Sequence, residues 1–216
     1  MSFPVAVISV ALWLKKCRCG QAKSTFFTVF GFFILYLGYA TWCSFTGLFS
    51  AVSLPPSVLL YTTFPLALLL FGVVINLESY KMLLEKAALS DLVRVHIFRL
   101  IGVFFVILAF HNALPKSFAL IAGLGDMITA ITSLFVAKAI ENKKSYARKL
   151  TYVWNTFGLI DIIFTAVMAN VLTKISIDTG AMGVDSLAQF PFFFIPAFAP
   201  PTIIFLHVTI LKIETN

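Results

Sequence analysis

Residues 118–140 read FALIAGLGDMITAITSLFVAKAI, with Asp126 and Lys138 the two charged residues in the run. At about 1.5 Å of rise per residue the stretch covers a hydrocarbon core of about 30 Å. Inside lipid the backbone must satisfy its own hydrogen bonds, and an uninterrupted apolar run of this length does so as a helix; a barrel strand needs only about ten residues. Working outward, five more runs of spanning length appear: Phe26–Gly47, Pro56–Leu77, Leu92–Asn112, Lys149–Leu172 and Pro191–Ile213. The predicted fold is an all-α polytopic transmembrane helical bundle of six spans, with residues 1–216 forming one membrane domain. Composition agrees: 60% of the 216 residues are hydrophobic and 12% charged, with mean hydropathy +0.99. Soluble domains carry about 25% charged residues, so a water-soluble fold is excluded.

Basic residues fall on alternate connections. Lys15, Lys16, Arg18 and Lys23 precede the first run, Lys81, Lys86 and Arg94 surround the second connection, Lys138, Lys143, Lys144, Arg148 and Lys149 the fourth, and Lys212 closes the last run. The other connections hold only Lys116 and Lys174. This asymmetry predicts cytoplasmic amino and carboxyl ends and accounts for the net charge of +7 without nucleic acid as a partner. Phe3–Leu14 is apolar but short, and its basic cluster follows the run instead of preceding it. It reads as an interfacial helix or a short seventh span, not as a cleaved signal peptide. Glu78–Asp91 also reads as an interfacial helix, and Thr173–Phe190 as a long outer loop. Cys17 and Cys19 have x1 spacing, unlike a redox or zinc pair, and with Cys43 they read as reduced thiols.

Four ionisable side chains lie well inside the spans, away from their ends: Arg99, Asp126, Asp161 and His207. Arg or Asp at mid-helix costs about 2.5–3.5 kcal/mol on insertion, so such residues face the bundle interior and find partners there. Counting from the predicted cytoplasmic ends puts Arg99, Asn155 and His207 about 10 Å deep, and the two carboxylates about 18–21 Å deep. With His207 neutral the set carries one net negative charge unless an Asp holds a proton.

The neighbours of these residues point the same way. Around Asp126, small residues Ala119, Ala122, Gly123, Gly125 and Ala130 form a seam that admits another backbone, and Thr129 and Ser133 continue a polar stripe on its face. Gly158, three residues before Asp161, leaves room for a partner helix or a ligand. Trp154 shares that face and reads as an interface anchor. In the last span Pro196, Pro200 and Pro201 leave the carbonyls of Phe192, Pro196 and Ala197 without helical partners, which predicts a kinked or broken helix with carbonyls on the stripe of His207. Pro65 does the same to Tyr61, near Thr62 and Thr63. His96 reads as a wetted boundary residue and His111 as exposed. A bis-histidine haem would require His96 to pair with His207, and a retinal Schiff base would require a buried lysine that the spans lack. No cofactor is implied.

The segments Phe98–Ile107, Leu114–Asp126, Trp154–Asp161 and Phe190–His207 resemble a group of small bacterial polytopic integral membrane proteins without an assigned activity. The resemblance covers the last four spans and implies a bacterial cytoplasmic (inner) membrane. Three functions stay open. One is a small transporter or channel-like protein in which Asp126, Asp161 and His207 form a path for a proton, ion or small solute and Arg99 sets the charge balance; its size implies a homo-oligomer. Another is a ligand-binding or accessory subunit with a membrane-protein partner. The third is an intramembrane metal-dependent enzyme using Asp126, Asp161 and His207 as ligands.

Overall fold

The computed structural model describes residues 20–51 and 53–215, and their side chains from residue 29 onward apart from 83 and 215. Phe3–Leu14, Cys17, Cys19 and the basic residues Lys15, Lys16 and Arg18 lie outside the described residues. All regular structure among those described is helical. The helices are α1 (Gly20–Phe45), α2 (Leu59–Asn76), α3 (Glu78–Lys86), α4 (Leu89–Phe110), α5 (Lys116–Glu141), α6 (Ala147–Thr179) and α7 (Phe194–Thr215). Five of them, α2, α4, α5, α6 and α7, are long and apolar enough to cross a membrane, and α1 is apolar over Val29–Phe45.

The exterior is more apolar and bulkier than the interior. Phe110 is 81% exposed and Leu35 75%, while Ala119, Ala122, Ala130 and Ala137 are fully buried. Large aliphatic and aromatic side chains outside and small ones between helices are what lipid as the solvent demands. The helices approach most closely where α4 crosses α5. A Cβ on Gly102 would stand 2.6 Å from Asp126 Cβ, and one on Gly123 would stand 2.8 Å from the Gly102 carbonyl oxygen. The small-residue seam predicted around Asp126 is thus filled by the backbone of α4.

Most helix ends fall within about three residues of the predicted ones, and the differences of consequence lie in α6 and α7. Helix α6 continues seven residues beyond Leu172, because Lys174 pairs with Asp178 at 2.8 Å one turn on and Ile175 and Ile177 extend its apolar surface. It ends at Gly180, whose φ of +71° is the left-handed conformation glycine tolerates, with its N–H bonded to the Ser176 carbonyl. The predicted outer loop shrinks accordingly. The prolines do not break α7, which runs continuously from Phe194 with Pro200 and Pro201 inside it.

Two apolar clusters fill the bundle from α4 to α7. One, toward the Gly180 end, contains Phe98, Phe105, Phe118, Ala122, Ile162 and Ile203. The other, toward the Asn142 end, contains Leu92, Val93, Val136, Trp154 and Ile210. The polar side chains picked out in the sequence lie between these clusters. On the flank, α1 and α2 lean on α7 through aromatic contacts such as Tyr36 against Phe198, 4.8 Å between centroids and nearly perpendicular.

Candidate functional site

Residues His96–Gly102 depart from the α form and wind as a 3-10 helix. With three residues per turn, His96, Arg99 and Gly102 fall on one line, and all three are buried. Gly102 takes the close crossing with α5. Arg99, one turn earlier, is fully enclosed.

Its guanidinium gathers three other helices. Nε–H donates to Asp126 Oδ1 on α5 at 2.7 Å, and Nη2 donates to Asp161 Oδ2 on α6 at 2.6 Å. Nη1 donates to the Gly158 carbonyl of α6 at 3.1 Å and lies 3.1 Å from His207 Nε2 on α7. Counting depth along separate helices set Arg99 a tier away from the carboxylates; the reach of its side chain removes that separation. Both side chains that pair with it are nearly closed off, 7% exposed for Asp126 and 8% for Asp161.

A guanidinium has donors and no acceptor, so the atom facing Nη1 must accept: His207 Nε2 carries a lone pair. The proton of the neutral ring then sits on Nδ1, which donates to Asn155 Oδ1 at 2.8 Å, while Asn155 Nδ2 donates to the His207 carbonyl at 3.2 Å. This reciprocal clasp fixes the tautomer. Protonating Nε2 would set an imidazolium against the guanidinium, so the set Arg99, Asp126, Asp161 and His207 carries one surplus negative charge when both carboxylates are ionised.

Glycines shape the space. A Cβ at Gly125 would coincide with the Asp161 carboxylate, which rests on the bare backbone of α5. A Cβ at Gly158 would meet His207 Cε1 at 2.7 Å and the Thr129 methyl at 2.9 Å. The gap beside Asp161 is therefore filled by α7 and α5.

Several sequence readings are corrected here. Trp154 is no interface anchor: it is 5% exposed, and its indole N–H donates to the Thr129 carbonyl at 3.1 Å. Thr129 and Ser133 donate to carbonyls of their own helix, those of Gly125 and Ala130, and do not extend the network. His96 is fully buried instead of wetted, with its ring 4.2 Å from that of His207 and 5.1 Å from that of Trp154. Among the described residues neither of its nitrogens has a hydrogen-bond partner. An unpaired buried polar group costs about 1–3 kcal/mol, which makes this imidazole the unmet polar demand of the site. The 3-10 turn that leads from His96 to Arg99 buries the two side chains together. His111 is exposed, as predicted.

The carbonyls that the prolines release do not join His207. Pro196 O accepts from Thr63 Oγ1 at 2.6 Å, Ala197 O from the Tyr36 hydroxyl at 3.2 Å, and Phe192 O from the Ile195 N–H at 2.9 Å. In α2 the Tyr61 carbonyl, freed by Pro65, accepts from the Tyr39 hydroxyl at 3.0 Å. The helix stays continuous because hydroxyls from α1 and α2 replace the lost bonds. Pro196 and Pro200 thus dock α7 against its neighbours. Among the described residues no group of three or more His, Cys, Asp or Glu is arranged to hold a metal ion; both carboxylates and His207 point at the guanidinium.

This polar centre, α4, α5, α6 and all but the last two residues of α7 fall within residues 55–213, which match a family model described as a domain of unknown function, DUF8737. The chain belongs to the DUF8737 family. The matched region begins ahead of α2, so the DUF8737 domain takes in one more span than the four on which the sequence resemblance rests. No curated protein and no solved structure is significantly similar to this DUF8737 chain.

Proposed function

We propose that this DUF8737 protein is a multi-pass protein of the bacterial cytoplasmic membrane that moves a small solute coupled to a proton or a monovalent cation. Arg99, Asp126 and Asp161 are its coupling site, and Asn155 and His207 hold the guanidinium in place. One observation carries the reading: a single arginine serves two carboxylates while His207 accepts a hydrogen bond from it, which leaves one unbalanced negative charge in the bundle when both carboxylates are ionised. A charge buried at that depth draws in a compensating cation, and each carboxylate keeps one oxygen outside the Arg99 hydrogen bonds to receive it. A network built only for packing has no need of the second carboxylate.

Liposome flux tests this. Under an imposed proton, sodium or potassium gradient, the Asp161→Asn variant is expected to lose at least tenfold of the wild-type flux. Its melting temperature stays the same or rises, because the substitution removes the surplus charge. Unchanged flux in Asp161→Asn, or no flux by the unmodified protein under any of the three gradients, overturns the proposal in favour of an accessory subunit whose network only holds helices together.

The proposal includes six spans with α1 among them and both ends in the cytoplasm, supported by the thirteen-to-two distribution of basic residues. A cysteine placed at exposed Ala181 is expected to react with an impermeant maleimide added outside intact cells. Labelling only after the cells are opened would reverse the orientation.

A further inference from the structure

Toward the Gly180 end, away from Arg99, the fold encloses a second space. A cavity of about 450 Å³ lies between the segment after α1, the outer turns of α6, the loop before α7 and Pro196. Its size falls within the range of about 300–1,000 Å³ typical of small-molecule sites. We infer that this cavity binds a small organic ammonium ion, with Asp185 as the counter-ion and the hydroxyls of Ser57 and Thr173 as acceptors.

The argument rests on what the walls offer. Among the described residues Asp185 is the one charged residue lining the cavity, and no Lys, Arg or His lines it. Ser57 and Thr173 have spent their protons on backbone carbonyls, those of Ala51 at 2.8 Å and Ala169 at 2.9 Å. What they present to the cavity is lone pairs, as Ser53 does after donating to the Pro55 carbonyl at 2.9 Å. Ser44, Ser50 and Gln189 complete the polar lining with groups that can donate or accept, so the single carboxylate sets the preference, for a ligand with one positive charge and N–H donors. The wall repels anions, and one carboxylate is too few for a divalent metal ion. Phe49, Val58 and Leu187 supply apolar surface for the carbon skeleton.

The cavity is tied to the polar centre by two rigid helices. Thr173 stands twelve residues from Asp161 on α6, about 18 Å, and Pro196 eleven residues from His207 on α7, about 16 Å. In the transport reading, on which this assignment of a substrate class rests, an ammonium solute held here and a cation held at Asp161 act on the same two helices.

Binding of butylammonium to the purified full-length protein in lipid nanodiscs, followed by isothermal titration with no gradient present, tests the site apart from transport. Saturable one-to-one binding is expected, with no binding of butyrate and at least tenfold weaker binding of butanol. Asp185→Asn, in an exposed loop, is expected to weaken butylammonium at least tenfold, and Thr173→Val at least threefold. Because the titration is run with no gradient present, failure of coupling appears in the flux assay and failure of this site in the binding assay, and the two read out separately. No saturable binding, equal binding of butyrate, or full affinity in Asp185→Asn overturns the inference.

Discussion

Replacing Arg99 by methionine is expected to destabilise the bundle by about 3–5 kcal/mol, because it strands two carboxylates among apolar helices. Arg99 satisfies Asp126 at 2.7 Å and Asp161 at 2.6 Å and gives further N–H groups to Gly158 and His207, so no neighbour is placed to take over. The decisive comparison is with the triple change Arg99→Met, Asp126→Asn and Asp161→Asn, which removes the charges together. A neutral triple variant more stable than Arg99→Met alone, in reversible unfolding by denaturing detergent, identifies the loss as unpaired charge. Purely additive losses around the mutant cycle would show that the three side chains are not coupled.

The second large effect concerns a residue without a side chain. Gly125→Ala puts a methyl group where the Asp161 carboxylate rests, so either the carboxylate leaves Arg99 or α5 and α6 separate. The melting temperature is expected to fall by ten degrees or more. Gly38→Ala is the control: a Cβ there meets nothing within 4 Å, and gaining an alanine in a helix is worth about 0.5–1 kcal/mol. Adding Asp161→Ala to Gly125→Ala removes the collision and the surplus charge together, and is expected to recover most of the loss. A Gly125→Ala protein as stable as the parent would mean that the carboxylate does not sit on this glycine.

The runs that make the helices were legible because lipid imposes one solution on any long apolar segment. That Arg99, Asp126, Asp161, Asn155 and His207 would meet was legible too, since polar groups in long apolar helices seek one another. What one helix at a time could not reveal was how the side chains reach between helices. Depth counting treats Arg99 as a point on α4, whereas its guanidinium extends to α5, α6 and α7. It also misplaces His96, because the 3-10 winding that turns this residue inward has no signature in an apolar run. Trp154 followed the tendency of tryptophan to mark bilayer boundaries, but its N–H found a carbonyl on α5. The proline carbonyls were matched to the wrong partners for a similar reason: Tyr36 and Thr63 are distant in sequence and ordinary in composition.

The order of residues along the chain gives Arg99 one more significance, in biosynthesis. It lies on α4, and every group that neutralises or hydrogen-bonds it lies on α5, α6 or α7. The ribosome therefore delivers the cation before any of its counter-charges exist. Helix α4 has the highest mean hydropathy of the five long helices, 2.2. Val103–Leu108, directly after the crossing glycine, is an unbroken run of valine, phenylalanine, isoleucine and leucine. Such residues return about 0.3–0.6 kcal/mol each on insertion, enough in that run to offset most of the roughly 2.5–3.5 kcal/mol for the arginine. In the membrane reading proposed above, the segment enters the bilayer close to balance and its guanidinium waits for partners that only α5, α6 and α7 supply.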